Sequence, residues 1–394
     1  MVVSISIEEI WWDPLTPSLV KRILSNKTNN DNVVFITLLW EGIPLGVWED
    51  RLLELMKTLE EAIPDTSVIL ILNSWYKPYA LDRKYSVVYL DYFLVRVYQQ
   101  LLLEKKSLPA EQWDFSNKNF LFLTGKPNKP NRVRLLYKFS KQDLLGNAVW
   151  SFFPAGSLYS ETRNLLPELN NVEFANFCTN HYRNPDDIEV VNNGEAGLHY
   201  SGIPFKTEIY QDALFQVVPE TSFTQHIEPW ITEKVWLAII NRLPFIVAGQ
   251  PGIAAKLCSM GFNTFNEVLA CLYDEEKDDE TRLDLIVKNA QHWSNNLANF
   301  KMEVLQSVEQ NYLQLINLAE QNIKTLDDTA QKYGYRWMDL VSFTDTVPSQ
   351  WRDRYKKVKD PSWPDCPTEE DFHTLPEWIQ QECINVHGLM PTQQ

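Results

Sequence analysis

The sequence predicts an α/β protein built on parallel sheets. Its strand-length apolar runs do not alternate with polar residues, which suits strands covered on both faces. Stretches with apolar residues at helical spacing lie between those runs. Residues 214–265 then read strand, loop, helix, strand, turn, helix, the rhythm of a parallel α/β sheet.

The 394 residues allow two domains of ordinary size and an appendage. A hydrophobic content of 44% is enough for real cores. There is no apolar window of about twenty residues, so no membrane span is expected. The N-terminus, MVVSISIEEIWWDP, carries acidic residues and no basic segment, unlike a secretory signal. The five cysteines (178, 258, 271, 366, 383) are odd in number and form no CxxC pair. Neither a disulfide framework nor a thiolate zinc site is expected, and a reducing cytoplasm fits. A formal net charge of −16 argues against a broad nucleic-acid footprint but leaves room for one local basic groove.

Taken in order, residues 33–40 are an apolar strand run. Residues 48–62 are helical, with Leu52, Leu53, Leu55, Met56 and Leu59 at helical spacing. A second strand is expected at 67–72, a long helix at 89–106 and a third strand at 119–123. Gly125 to Asn131 is a basic, turn-rich loop, and a helix is expected from Arg132 with Asn131 as its N-cap. Lys126, Lys129, Arg132 and Arg134 stand close together there, conspicuous in an acidic chain: a clamp for phosphate or an anionic acceptor, or a solvated loop. These elements make residues 1–150 a first Rossmann-like domain, without a GxGxxG turn. Residues 151–333 make a second one with closing helices. It has strands at 172–177 and 214–218, a polar surface loop at 180–202, an acidic linker at 273–284 and two helices between Asp284 and Tyr333. Residues 334–394 are rich in Trp and Pro and are expected to pack on the body.

The candidate site lies in residues 214–265. In parallel sheets ligands bind beyond the carboxyl ends of strands. Glu220, Thr221 and Ser222 follow one strand, and Thr232, Glu233 and Lys234 open the next helix, where free N–H groups and the dipole favour an anion. A lysine beside a carboxylate suits a sugar nucleotide, the lysine on the diphosphate and Glu233 on ribose hydroxyls. His226 lies in the intervening loop. No HxH, HxxxH or DxD arrangement marks a metal site.

The pattern Glu-x-Ser, then Ile-Thr-Glu-Lys opening a helix, then Pro-Phe-Ile-Val-Ala-Gly resembles the donor-binding region of the α-1,3-fucosyltransferases and their phage and bacterial relatives. It covers about fifty residues well and extends weakly back to Phe120. One departure is Thr221, where the family often has Asn. The resemblance implies a GT-B fold, two Rossmann-like domains facing a cleft, whose last helices cross back to the first domain. It implies inverting, metal-independent sugar transfer with no cofactor beyond the nucleotide-diphosphate sugar itself. Glu220, Thr221, Ser222, Thr232, Glu233 and Lys234 are then donor-binding, with Arg132 and Lys126 as a second clamp. The acceptor is a hydroxyl on a glycan, a small molecule or a modified DNA base, with no membrane partner. The catalytic base is expected in the first domain, where no motif aligns. Glu41, just after the strand run at 33–40, ranks ahead of Asp91. A non-catalytic nucleotide-sugar binder is the alternative.

Overall fold

The computed structural model of the chain describes residues 2–4, 20–21, 23–25, 33–38, 49–74, 85–95, 97–98, 120–124, 130–146, 148–152, 166–181, 210, 213–224, 229–265 and 273–335. They form two four-stranded parallel sheets. The chain divides into two compact units, Met1–Asp91 with Ile323–Gln394, and Tyr92–Asn322.

The first sheet holds β1 (Val2–Ser4), β2 (Val33–Leu38), β3 (Ser67–Asn73) and β4 (Ser86–Leu90), side by side in chain order. β2 and β3 are in register from Val33 opposite Ser67 to Leu38 opposite Leu72. Parallel crossovers are right-handed, so strands laid down in sequence put their crossover helices on one face. The core shows this. Val34, Ile36, Leu70 and Leu72 pack with Val20 and Ile23 and with Leu52, Leu55, Met56 and Leu59 of α1 (Glu49–Ala62). Side chains alternate along a strand, and Phe35, between Val34 and Ile36, meets Tyr333 and Tyr335 edge-on at centroid distances of 5.8 and 5.5 Å. The returning end of the chain covers what the crossovers leave bare.

The second sheet is ordered β6-β5-β7-β8: β5 is Leu121–Thr124, β6 Val149–Phe152, β7 Gln216–Pro219 and β8 Phe245–Ala248. From β5 the chain passes through α2 (Pro130–Lys141) to β6 on one side. It later enters β7 on the other side of β5 and passes through α4 (Glu233–Ile240) to β8. Reversing the direction of winding puts helices on both faces. Phe139 of α2 packs on Phe120 and Phe122, and Trp293 of α6 (Asp279–Asn296) packs on Phe215. Leu237 of α4 lies in the opposite cluster with Leu121, Val149 and Leu243. The helices α3 (Asn171–Asn180), α5 (Ile253–Ser259) and α7 (Lys301–Gln331) complete the described elements.

Several expectations are corrected. The boundary at 150 falls inside β6, and β5 and β6 pair with each other and with β7, so residues 120–152 belong to the second unit. The other expected boundary, at 333, also moves: the split falls within α7, at Ile323. The strand expected at 172–177 is α3, set by a capping box in which the Asn170 side chain accepts from Val172 and Glu173 N–H while Glu173 reaches back to the Asn170 N–H. The start of the helix expected at 89–106 is β4, with helical residues only from 92. α2 begins at Pro130, whose missing N–H costs nothing at a first helical position, rather than at Arg132. The acidic linker is structured, since Asp278 caps α6 by accepting from Thr281 N–H at 2.8 Å. Residues 336–394 and most of the loop expected at 180–202 lie outside the described residues. Among the described residues no helix is long and apolar enough to cross a membrane.

Candidate functional site

In an open α/β sheet the connections leave neighbouring strands in opposite directions at one point, and a crevice opens there beyond the carboxyl ends. In the second sheet that point lies between β5 and β7. Two helix starts converge on it, and Glu220, the residue after β7, touches both. Its carbonyl accepts from Asn131 Nδ2 of α2 at 3.1 Å. Its Oε1 accepts from the Thr232 N–H at the start of α4 at 2.9 Å. Its Oε2 accepts from Thr232 Oγ1 at 2.5 Å and from the Thr221 N–H at 3.2 Å. The main chain of Glu220 is fixed in turn by its N–H bond to the Ala248 carbonyl, at 3.0 Å.

Glu220 is wholly buried. Burial pushes its carboxyl above the usual range, against the pull of Lys234 and the Thr232 hydroxyl. Both of its carboxylate oxygens are engaged within the protein. Gly249 makes room for it: a side chain there would bring a Cβ within 3.3 Å of Glu220 Cβ and 2.9 Å of Ile253 Cδ1.

Lys234 Nζ donates to Glu233 Oε1 at 2.7 Å, Thr232 Oγ1 at 2.9 Å and Thr221 Oγ1 at 3.4 Å. An ammonium has three donors, so its neighbours engage all of them. The Thr232 hydroxyl accepts from Lys234 and donates to Glu220, which links the three groups in one chain. For Glu233 burial raises the carboxyl, but Lys234 and, more weakly, Arg132 outweigh it and hold it below the usual range. Glu233 Oε2 is buried and accepts no hydrogen bond. Ser222 is half-buried on the same turn as Thr221. That turn is tied to α6: Arg282 stacks on Phe223, donates to its carbonyl at 2.6 Å and pairs with Asp279, while Thr224 Oγ1 donates to Asp279 at 3.0 Å.

The structure therefore brings Glu220, Thr221, Thr232, Glu233 and Lys234 into one network and places Arg132 close enough for its charge to act on Glu233. The basic cluster is not one clamp. Arg132 is buried, whereas Arg134 pairs with Glu280 of α6, beside the Lys138 pairs with Glu280 and Asp284. Lys126, Lys129, His226 and Glu41 lie outside the described residues. Asp91 directly follows β4. The two helix starts also differ. α4 opens with Glu233 and faces Glu220, while α2 has no acidic residue in its first turn and carries Arg132. Of the two helix starts read as phosphate sites, α2 carries the less negative first turn. Among the described residues no group of three or more His, Cys, Asp or Glu is placed to hold a metal ion.

Two residues of the site were not legible as such. Asn131 reads as an N-cap, and only the strand order shows that its amide reaches Glu220. Gln250 reads as a turn residue, yet it is buried and its Oε1 accepts from the Trp230 N–H at 2.8 Å. Comparison of the chain with family models, curated proteins and solved structures returned no match.

Proposed function

We propose that the chain is a glycosyltransferase that moves a sugar from a nucleotide-diphosphate sugar to a hydroxyl acceptor, with two Rossmann-like domains facing a cleft in the GT-B manner. One observation carries the reading: the starts of α2 and α4 meet through Glu220 at the switch point of the second sheet. A diphosphate fits the α2 start and Arg132, and a ribose hydroxyl fits the open Oε2 of Glu233. In transfer, positive charge on the diphosphate stabilises the leaving group as the anomeric bond breaks. A carboxylate takes the proton from the attacking acceptor hydroxyl, giving inversion without a metal. Glu41 remains the candidate for that carboxylate. The resemblance at residues 214–265 supports the same class.

A second reading, a nucleotide-sugar binder without turnover, is favoured by the full engagement of Lys234 within the protein. The two separate in one assay, nucleoside-diphosphate release from a panel of nucleotide sugars, with EDTA present. The expected result is slow hydrolysis of one donor. Arg132→Ala should reduce it about 10²–10³-fold, the scale of a lost electrostatic group, and more than Lys234→Ala does. A donor that binds and stays intact while glycan, small-molecule and hydroxylated-base acceptors are supplied would exclude transfer and leave the binder.

A further inference from the structure

Two buried side chains at neighbouring strand ends hold alternate N–H groups of one extended segment. Glu220, after β7, takes the Thr232 N–H, and Gln250, after β8, takes the Trp230 N–H at 2.8 Å. The bond to Trp230 fixes the orientation of the Gln250 amide. Only its oxygen can face an N–H donor, so its NH2 group points the other way. Gln250 is 1% exposed, and that nitrogen is buried with no hydrogen-bond partner among the described residues. An unmet buried donor costs free energy that protein interiors rarely tolerate without a use for the group. Its neighbours place it beside the candidate site: Gly249 abuts Glu220, Pro229 lies against Gly252, and the segment it holds leads to Thr232.

We propose that Gln250 is a ligand-reading residue of this site: its Oε1 holds the segment leading into α4, and its Nε2 donates to an acceptor oxygen of the bound nucleotide sugar. The inference rests on the donor-site reading above. A ligand oxygen that meets this buried amide satisfies a donor the described residues leave unmet. The same burial makes the position selective, because a ligand with an N–H or a methyl there would leave the amide unmet.

The test uses the full chain and two variants. Gln250→Glu keeps an acceptor for the Trp230 N–H and removes the donor. Gln250→Met removes both and adds no charge. Affinities for inorganic pyrophosphate, nucleoside diphosphates and nucleotide sugars are measured by calorimetry, with the uncharged Met variant as the control for the charge that the Glu variant adds. Both variants should bind about tenfold more weakly, the scale of one hydrogen bond. The probe that first shows the loss locates the oxygen: on phosphate with pyrophosphate, on base or ribose with the diphosphate, on the sugar with the full donor. Loss in the Met variant alone makes Gln250 a structural anchor and overturns the inference, as does loss in the Glu variant alone or in neither. If the wild type binds none of the three probes, the donor-site reading falls and this one with it. If it binds and the variants match it, only this inference falls.

Discussion

Glu220 ties two helix starts and its own turn together. Its carboxylate accepts three hydrogen bonds and its carbonyl a fourth, from two helices and its own turn. Glu220→Ala would leave the Thr232 and Thr221 N–H groups unmet and a cavity at the switch point, so it should destabilise the fold by about 2–4 kcal/mol. The pH dependence has a definite sign. Burial raises the Glu220 carboxyl in the folded chain above its unfolded value. The folded state therefore binds the proton more tightly, and stability from this group falls as pH rises from the ordinary carboxylate range through the folded value. Glu233 is held low and works the other way: its contribution is present above the ordinary range and is lost as pH falls through the folded value. Glu220→Gln removes the first effect alone. The melting difference between wild type and Glu220→Gln should therefore move against the wild type as pH is raised from about 4. A difference that stays flat, or that moves the opposite way, would show that Glu220 ionises freely in the fold.

At the scale of elements, the starts of α4 and α5 are met by side chains from elsewhere in the chain, Glu220 and Asp274. α5 is seven residues long and begins after Gly252, whose φ of 81° suits glycine. Its first N–H groups go to Asp274, Ala254 to Oδ1 at 2.8 Å and Ala255 to Oδ2 at 3.0 Å. Asp274→Asn replaces one of those acceptors with a donor and should cost about 1–2 kcal/mol in urea unfolding. A change below about 0.5 kcal/mol would mean that α5 is held by packing alone. This cap also marks the limit of what the sequence discloses. β2, β3, β5, β7 and β8 are apolar runs between turn residues, and α1, α4 and α5 have helical spacing, so local pattern was enough to find them. β4 and β6 were missed because Val87-Val88 and Val149-Trp150 are too short to separate from neighbouring helical or irregular chain by periodicity. α3 was misread because Val172, Phe174 and Phe177 fit a short strand as well as a helix, and the deciding signal was the Asn170–Glu173 box. The site followed the same rule. Thr232, Glu233 and Lys234 are contiguous and could be read. Arg132 was read from the local basic cluster, whereas Asn131 and Gln250 join them only through a strand order that no local pattern encodes.

At the scale of the whole molecule, the order of the first sheet leaves a face that, among the described residues, Tyr333 and Tyr335 help to cover. Four parallel strands in sequential order place their crossovers on one face, where α1 and the helical residues near Val20 pack. The opposite face carries Phe35, and Tyr333 and Tyr335 close over it after α7 ends. Two edge-to-face ring pairs are worth about 0.5–1.5 kcal/mol each beyond the area they bury. The contact joins residues far apart in the sequence but within the first unit, so its loss should open that unit locally rather than alter the second. Tyr333→Ala is the more informative change, because Tyr335 still shields part of Phe35 and complete unfolding is avoided. In hydrogen exchange the amides that pair β2 with β3 should lose protection, by about tenfold if about 1.4 kcal/mol is lost. Amides between β7 and β8 should keep theirs, and affinity for nucleoside diphosphates should be unchanged, since every residue assigned to the site lies in the second unit apart from Glu41. Unchanged exchange in β2 and β3 would mean that the tyrosines decorate a face already stable without them. Loss of protection in β7 and β8 as well would show that the two units open together.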